Sequence, residues 1–159
     1  MKKLVVTGMI ALAAVIMYSC GGSNSNAGNS GAGKTETTAN GNPAYDPNRG
    51  EGKYTKVDLG NALNTAMAET GSKAYSVKCQ SCHKLTDEKL VGPGWKGVTS
   101  RHSPEWIMNF ITNTDEMLNK DPKAQAQLEI CLVRMPNQNL SDDEARAILE
   151  FQRQNDGVK

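Results

Sequence analysis

Hydrophobic positions in the second half of the chain recur at helical spacing, and local signals mark where several of those helices begin. Leu59, Leu63, Ala66 and Met67 follow Asp58, whose carboxylate suits an N-cap. Gly71 interrupts that pattern. Ala74, Tyr75 and Val77 then carry a second helical stretch to Cys79. Ser103-Pro104 opens another helix, with Ser as N-cap and Pro in the first turn, and its apolar stripe is Trp106, Ile107, Phe110 and Ile111. Asp121-Pro122 repeats the device ahead of Ala124, Leu128 and Leu132, running towards Val133. In the last helix Ser141 and Glu144 form a capping box, and Asp142, Asp143 and Glu144 suit the positive helix end. Its buried side is Ala145, Ile148, Leu149 and Phe151. Strand-like alternation is almost absent, so the fold class is all-α.

The first half reads differently. Lys2 and Lys3 precede an apolar run from Leu4 to Met17, shorter than the ~20 residues of a membrane span, and then Ser19-Cys20-Gly21. A cysteine after a small residue at that place resembles a bacterial lipoprotein signal. It implies cleavage of residues 1–19, lipid on Cys20, and a location on the periplasmic side of a bacterial membrane; ordinary signal cleavage nearby is the alternative. Residues 20–52 are rich in Gly, Asn, Ser and Thr, cannot bury enough surface to fold, and read as a flexible tether with a reach of about 30 Å. Gly28 to Thr35 fits the phosphate-loop pattern, but neither a strand before it nor a helix after it is indicated, so the match is a coincidence. Residues 53–70 form a helical lead-in and 71–159 the domain proper. With 18 basic and 17 acidic residues, nothing indicates nucleic acid as a partner.

The chemistry concentrates at Cys79-Gln80-Ser81-Cys82-His83, the attachment signature of c-type haem. Two thiols three positions apart can each add to one vinyl group, with the adjacent His83 as proximal iron ligand. A zinc site would need four ligands, and beyond the pentapeptide only His102, Cys20 and Cys131 remain as further His or Cys. A thioredoxin-like dithiol would need βαβ patterning. Of the methionines after His83, Met108 and Met117 lie in predicted helical or pre-helical stretches. Met135 follows a helix, precedes Pro136 and begins a loop. It is the preferred second axial ligand, with His102 or an open position as alternatives. Cys131, beside Leu128 and Leu132, reads as a small buried apolar residue.

Gly71, Tyr75, the Cys79–His83 run, the Leu90–Val98 loop around Gly92-Pro93-Gly94 and the Met135–Arg153 stretch together resemble small class I (monohaem) cytochromes c. That resemblance implies N- and C-terminal helices crossing around one covalently bound haem. It also implies that the Pro93 carbonyl accepts from the free ring N–H of His83 and that Trp95 packs on the haem edge. Trp106 would donate to a haem propionate, or else serve only as core. The implied role is electron transfer, not enzymatic catalysis; a haem enzyme or gas sensor with an open sixth iron position is the rival. The longer match, including Asp58 to Glu69, is similar to cytochromes c associated with nitrous oxide reductases. It implies that reductase or a terminal oxidase as acceptor, and a quinol-oxidising complex or another cytochrome as donor.

Overall fold

The computed structural model describes residues 45–159, which lie in one compact unit. The signal segment, Cys20 and the Gly28–Thr35 pattern lie outside the described residues. Among the described residues there are six helices, α1 (Thr65–Lys78), α2 (Val98–Arg101), α3 (Pro104–Thr112), α4 (Thr114–Lys120), α5 (Pro122–Cys131) and α6 (Asp142–Asn155), and no strand beyond an isolated bridge between His83 and Lys89. None of these helices is long and apolar enough to cross a membrane.

The frame is the crossing of α1 and α6. Ala68, Gly71 and Tyr75 recur along α1 on one buried face. They meet α6 at Ala147 and Phe151, with the Tyr75 and Phe151 rings 5.5 Å apart. Gly71 sits where the two backbones come closest: a Cβ built on it would lie 2.0 Å from the Ala147 carbonyl oxygen. Gly71 therefore lies within one continuous helix, at its contact point, and does not break it as the sequence pattern suggested. The three capped starts take the expected form. Ser103, Asp121 and Ser141 each accept from the backbone N–H three residues on, and Ser141 and Glu144 complete the reciprocal capping box.

Upstream of α1 the chain departs from its sequence pattern. The expected helix behind Asp58 is absent; residues 53–64 lack helix, and α1 begins with Asn64 as its cap. The backbone of this strap is claimed by side chains of other elements. Glu105 accepts from Val57 N–H at 2.8 Å, Glu150 from Asn64 N–H at 2.8 Å, and Arg153 donates to the Gly60 carbonyl at 3.1 Å. The fully buried Asn109 accepts from Tyr54 N–H and donates to the carbonyls of Arg49 and Tyr54. Nor does the tether reach residue 52: Tyr45 is buried and its hydroxyl donates to Asp121 at 2.5 Å. An Asp121 carboxylate that also caps α5 thus pins the start of the strap.

Glu150, fully buried, gives this arrangement a pH signature. Burial pushes its pKa up, but the Asn64 N–H, Arg146 and Arg153 together outweigh it and hold the carboxyl below its ordinary value of 4.5. A carboxylate whose pKa falls on folding contributes its stabilisation above the unfolded value and loses it as pH drops through the folded one. Glu150→Gln should therefore flatten the loss of stability below about pH 4.5 in denaturant titrations across pH. An acid limb as steep as that of the parent protein would assign the effect elsewhere.

Candidate functional site

Where α1 ends, the chain turns tightly through the Cys-x-x-Cys-His run. Cys79 N–H and Gln80 N–H donate to the Tyr75 carbonyl, and Cys82 N–H and His83 N–H to the Cys79 carbonyl. Tyr75 reinforces the turn, its hydroxyl donating to the His83 carbonyl at 2.6 Å. The Cys79 thiol is buried, and burial is the main reason its pKa is pushed up to about 11, with Lys78 opposing. None of Cys79, Cys82 and Cys131 is in a disulfide.

The following loop folds back over the histidine. Val91 and Gly92 N–H donate to the Cys82 carbonyl, and Trp95 N–H to that of Lys84. This places the Pro93 carbonyl 2.9 Å from His83 Nδ1. The ring nitrogen donates there, which leaves Nε2 as its unengaged atom. Burial lowers the His83 pKa, with the Pro93 contact opposing. A neutral imidazole held in one orientation is what a metal ligand requires. Trp95 is buried against Tyr75, ring centroids 4.9 Å apart, and against His83 at 5.7 Å.

His83 lines a cleft of two lobes, of about 80 and 360 Å³, that share His83, Pro93, Phe110, Gln127 and Met135. The cleft therefore has His83 and Met135 in both its parts. The other two methionines after His83 are fully or nearly fully buried elsewhere: Met108 on α3, and Met117 on α4 with its sulfur accepting from Glu51 N–H. The smaller lobe is lined by Cys82, Leu128 and Cys131. The larger one is lined by Trp95, Trp106, His102 and Gln152. Three buried polar atoms on that larger lobe, His102 Nδ1, Trp106 Nε1 and Gln152 Oε1, have no hydrogen-bond partner.

His102 is engaged: its ring stacks on Trp106 at 4.0 Å, and its Nε2 lies 3.1 Å from the Gln127 amide. Helix α5 turns a different face to the cleft from the one its sequence suggested. Gln127, Leu128 and Cys131 line it, whereas Leu132 caps the helix in the left-handed region at φ 60° and is 84% exposed. Cys131 is correspondingly half-buried at the cleft wall. Gly92 belongs to the Gly-Pro loop named from the sequence, but its role was not read there: a Cβ on it would lie 2.3 Å from the His83 ring. Gln127 likewise carries no local signal. Among the described residues no three His, Cys, Asp or Glu side chains gather as a metal-ion group.

A family profile described as cytochrome c matches residues 68–155. Among solved structures the chain is similar to a cytochrome c from Rhodothermus marinus, at 34% identity over 66% of this chain and 90% of that one, with a TM-score of 0.64. An engineered cytochrome c from the same organism matches at 33% identity over the same shares, TM-score 0.63. A further structure of the engineered protein, bound to a carbene intermediate, matches at 33% identity, again over 66% and 90%, with a TM-score of 0.60. A search of curated proteins finds no match.

Proposed function

The chain belongs to the cytochrome c family, and from that premise we propose that it is a one-electron carrier whose iron is held between His83 and Met135. Membership implies a covalently bound c-type haem, and the residues present fit one. The cleft is largely apolar, Cys82 of the attachment run lines its smaller lobe, and residues of its larger lobe carry buried polar atoms without a partner. When bound, the haem supplies reversible exchange of one electron. Cys79 and Cys82 tether it. His83, held by Pro93, offers Nε2, and Met135 offers its thioether. Trp95 closes the pocket beside His83, and Trp106 lines the larger lobe. The observation that carries this reading is that His83 and Met135 line both lobes of the same cleft.

With His83 and Met135 both holding the iron, no open position would remain for a substrate, and the chemistry the group would supply is electron transfer to redox partner proteins. The resemblance of the sequence favours nitrous oxide reductase or a terminal oxidase as acceptor, with a quinol-oxidising complex or another cytochrome as donor. The lipoprotein-like segment supports anchoring at Cys20 on the periplasmic side of a bacterial membrane. Reduction of each purified acceptor by the reduced protein tests the partners. Release from the membrane fraction by Cys20→Ser tests the anchor. The decisive experiment is an absorbance spectrum, oxidised and reduced, of protein exported from cells able to attach haem. Low-spin haem that stays with the denatured chain is expected; a chain without haem would overturn the reading.

Gly92→Ala tests the seating of His83. The added carbon needs the space of the imidazole, 2.3 Å away, so the ring must leave the Pro93 carbonyl. A lost contact of this kind typically costs 10–100-fold in metal affinity or activity. The expected outcome is a mixed-spin spectrum and a lower yield of holoprotein. A parent-like spectrum would show that the ring is not fixed from this side.

A further inference from the structure

We propose that the apolar surface made by Leu90 and Val91 with Ile130, Leu132 and Val133 is where this carrier docks a redox partner, and that the partner meets it with an uncharged, apolar face. The proposal rests on the carrier reading given above. Six large hydrophobic side chains are exposed among the described residues, and these are five of them. Two segments bring them together. Lys89 is bridged to His83, and its ammonium donates to the Ile130 carbonyl at 2.8 Å, so the loop after the attachment run is held against the end of α5. Val91 and Val133 both line the smaller lobe, as does Cys82. A protein seated on this surface therefore lies beside one of the two haem anchors. Exposed apolar patches with a polar rim mark sites of contact.

Two observations set the chemistry of the partner. The first is Leu132, which caps α5 at φ 60° while its side chain stays in solvent. A helix that ends in the left-handed region ordinarily takes glycine or asparagine there. Leucine suits that backbone poorly and gains no burial in return, which is the pattern of a side chain kept for contact with another molecule. Ile130, 68% exposed, stands two residues before it. The second observation is charge. Residues 84–91 and 127–136 carry Lys84, Lys89 and Arg134 against Asp87, Glu88 and Glu129, so the two segments are balanced. Most of these groups are engaged locally: Lys84 with Glu88 at 2.6 Å, Asp87 with Lys96 at 3.7 Å and Arg134 with Asp115 at 3.4 Å. Such a rim offers no field of one sign to attract an opposite charge. A charged partner face would lose its hydration here with nothing to pair against, whereas an apolar face gains by leaving water.

The test is the rate at which the reduced, haem-loaded protein passes electrons to purified nitrous oxide reductase and to a purified terminal oxidase. Between about 0.01 and 1 M salt the screening length shrinks from about 30 to 3 Å, and the second-order rate constant should change by less than about threefold. Leu132→Gly suits its backbone better than leucine, and Ile130→Gln keeps a good helix former at an exposed site. Each should lower the rate constant severalfold, and the pair by about tenfold or more. Neither residue lines the cleft, so the absorbance spectrum and the reduction of ferricyanide, a small ion that needs no docking face, should match the parent. A steep fall of the parent's rate with salt would overturn the proposal, as would parent-like rates in the double variant. So would a parent that reduces ferricyanide but neither acceptor. Sedimentation showing paired copies that separate in the double variant would replace the partner with a second copy of the chain. Binding of the Cys20→Ser protein to phosphatidylcholine vesicles, lost in the double variant, would replace it with lipid. Failure of the carrier reading is separate and would be seen as a parent protein without haem.

Discussion

Gly71→Ala should cost the protein about 3 kcal/mol or more, and Gly71→Val should leave little folded protein at all. The new Cβ would lie 2.0 Å from the carbonyl oxygen of Ala147, 2.5 Å from its carbon and 2.9 Å from Phe151 Cβ. The first two are backbone atoms and cannot rotate away. Relief requires α6 to withdraw from α1, loosening the contact of Tyr75 with Phe151 and the wall that carries Trp95. Helix propensity acts the other way, since alanine is better than glycine inside a helix by roughly 1 kcal/mol. The clash exceeds that gain, because overpacking a filled site typically costs about 1–3 kcal/mol even when only side chains must give. Gly60→Ala is the control: its nearest neighbour would be 3.5 Å away, an ordinary contact. Its effect should stay within about 0.5 kcal/mol. Denaturant midpoints of the three holoproteins decide, and a Gly71→Ala protein as stable as its parent would refute the close crossing.

The same crossing shows what the sequence could and could not convey. Helix starts at Ser103, Asp121 and Ser141 were legible because a cap is a local device, complete within four residues. The start of α1 was not. Asp58, Leu59 and Leu63 have the spacing of a capped helix, but the strap's backbone groups are claimed by Glu105, Glu150 and Arg153, 48 to 93 residues away. No window of neighbouring residues contains that competition. Low-complexity composition likewise overextended the tether, since Tyr45 is held by Asp121, 76 positions on. On α5 the misjudgement was one of phase. Leu132 keeps the apolar spacing, but the helix ends at Cys131, so Leu132 leaves the stripe and Cys131 joins the cleft wall.

At the site, the covalent run and the Met-Pro loop were readable because each is contiguous. The room that Gly92 leaves for the imidazole, and the contact of the Gln127 amide with His102, became visible only once the folded segments met. Buried polar residues are the common thread. Asn109, Asp121 and Glu150 look like surface residues in a one-dimensional pattern, yet all three are fully buried, each satisfying groups of another segment.

On the proposed ligation by His83 and Met135, Met135→Ala should yield a protein that binds carbon monoxide when reduced. Met135 is half-buried on the loop after α5 and lines both lobes with His83; shortening it to alanine removes its thioether from the cleft. The weak far-red absorption of a sulfur–iron bond should disappear from the oxidised spectrum. The potential should fall, because a thioether favours the ferrous state. Met108→Leu and Met117→Leu separate this from general disturbance of the core. Both methionines are buried on helices, and a volume-conserving swap at such positions usually costs less than about 1.5 kcal/mol. Their spectra should match the parent. The comparison also separates the carrier from an enzyme or gas sensor with an open iron. A parent protein that binds carbon monoxide readily, with no change on Met135→Ala, would mean that the thioether is not on the iron.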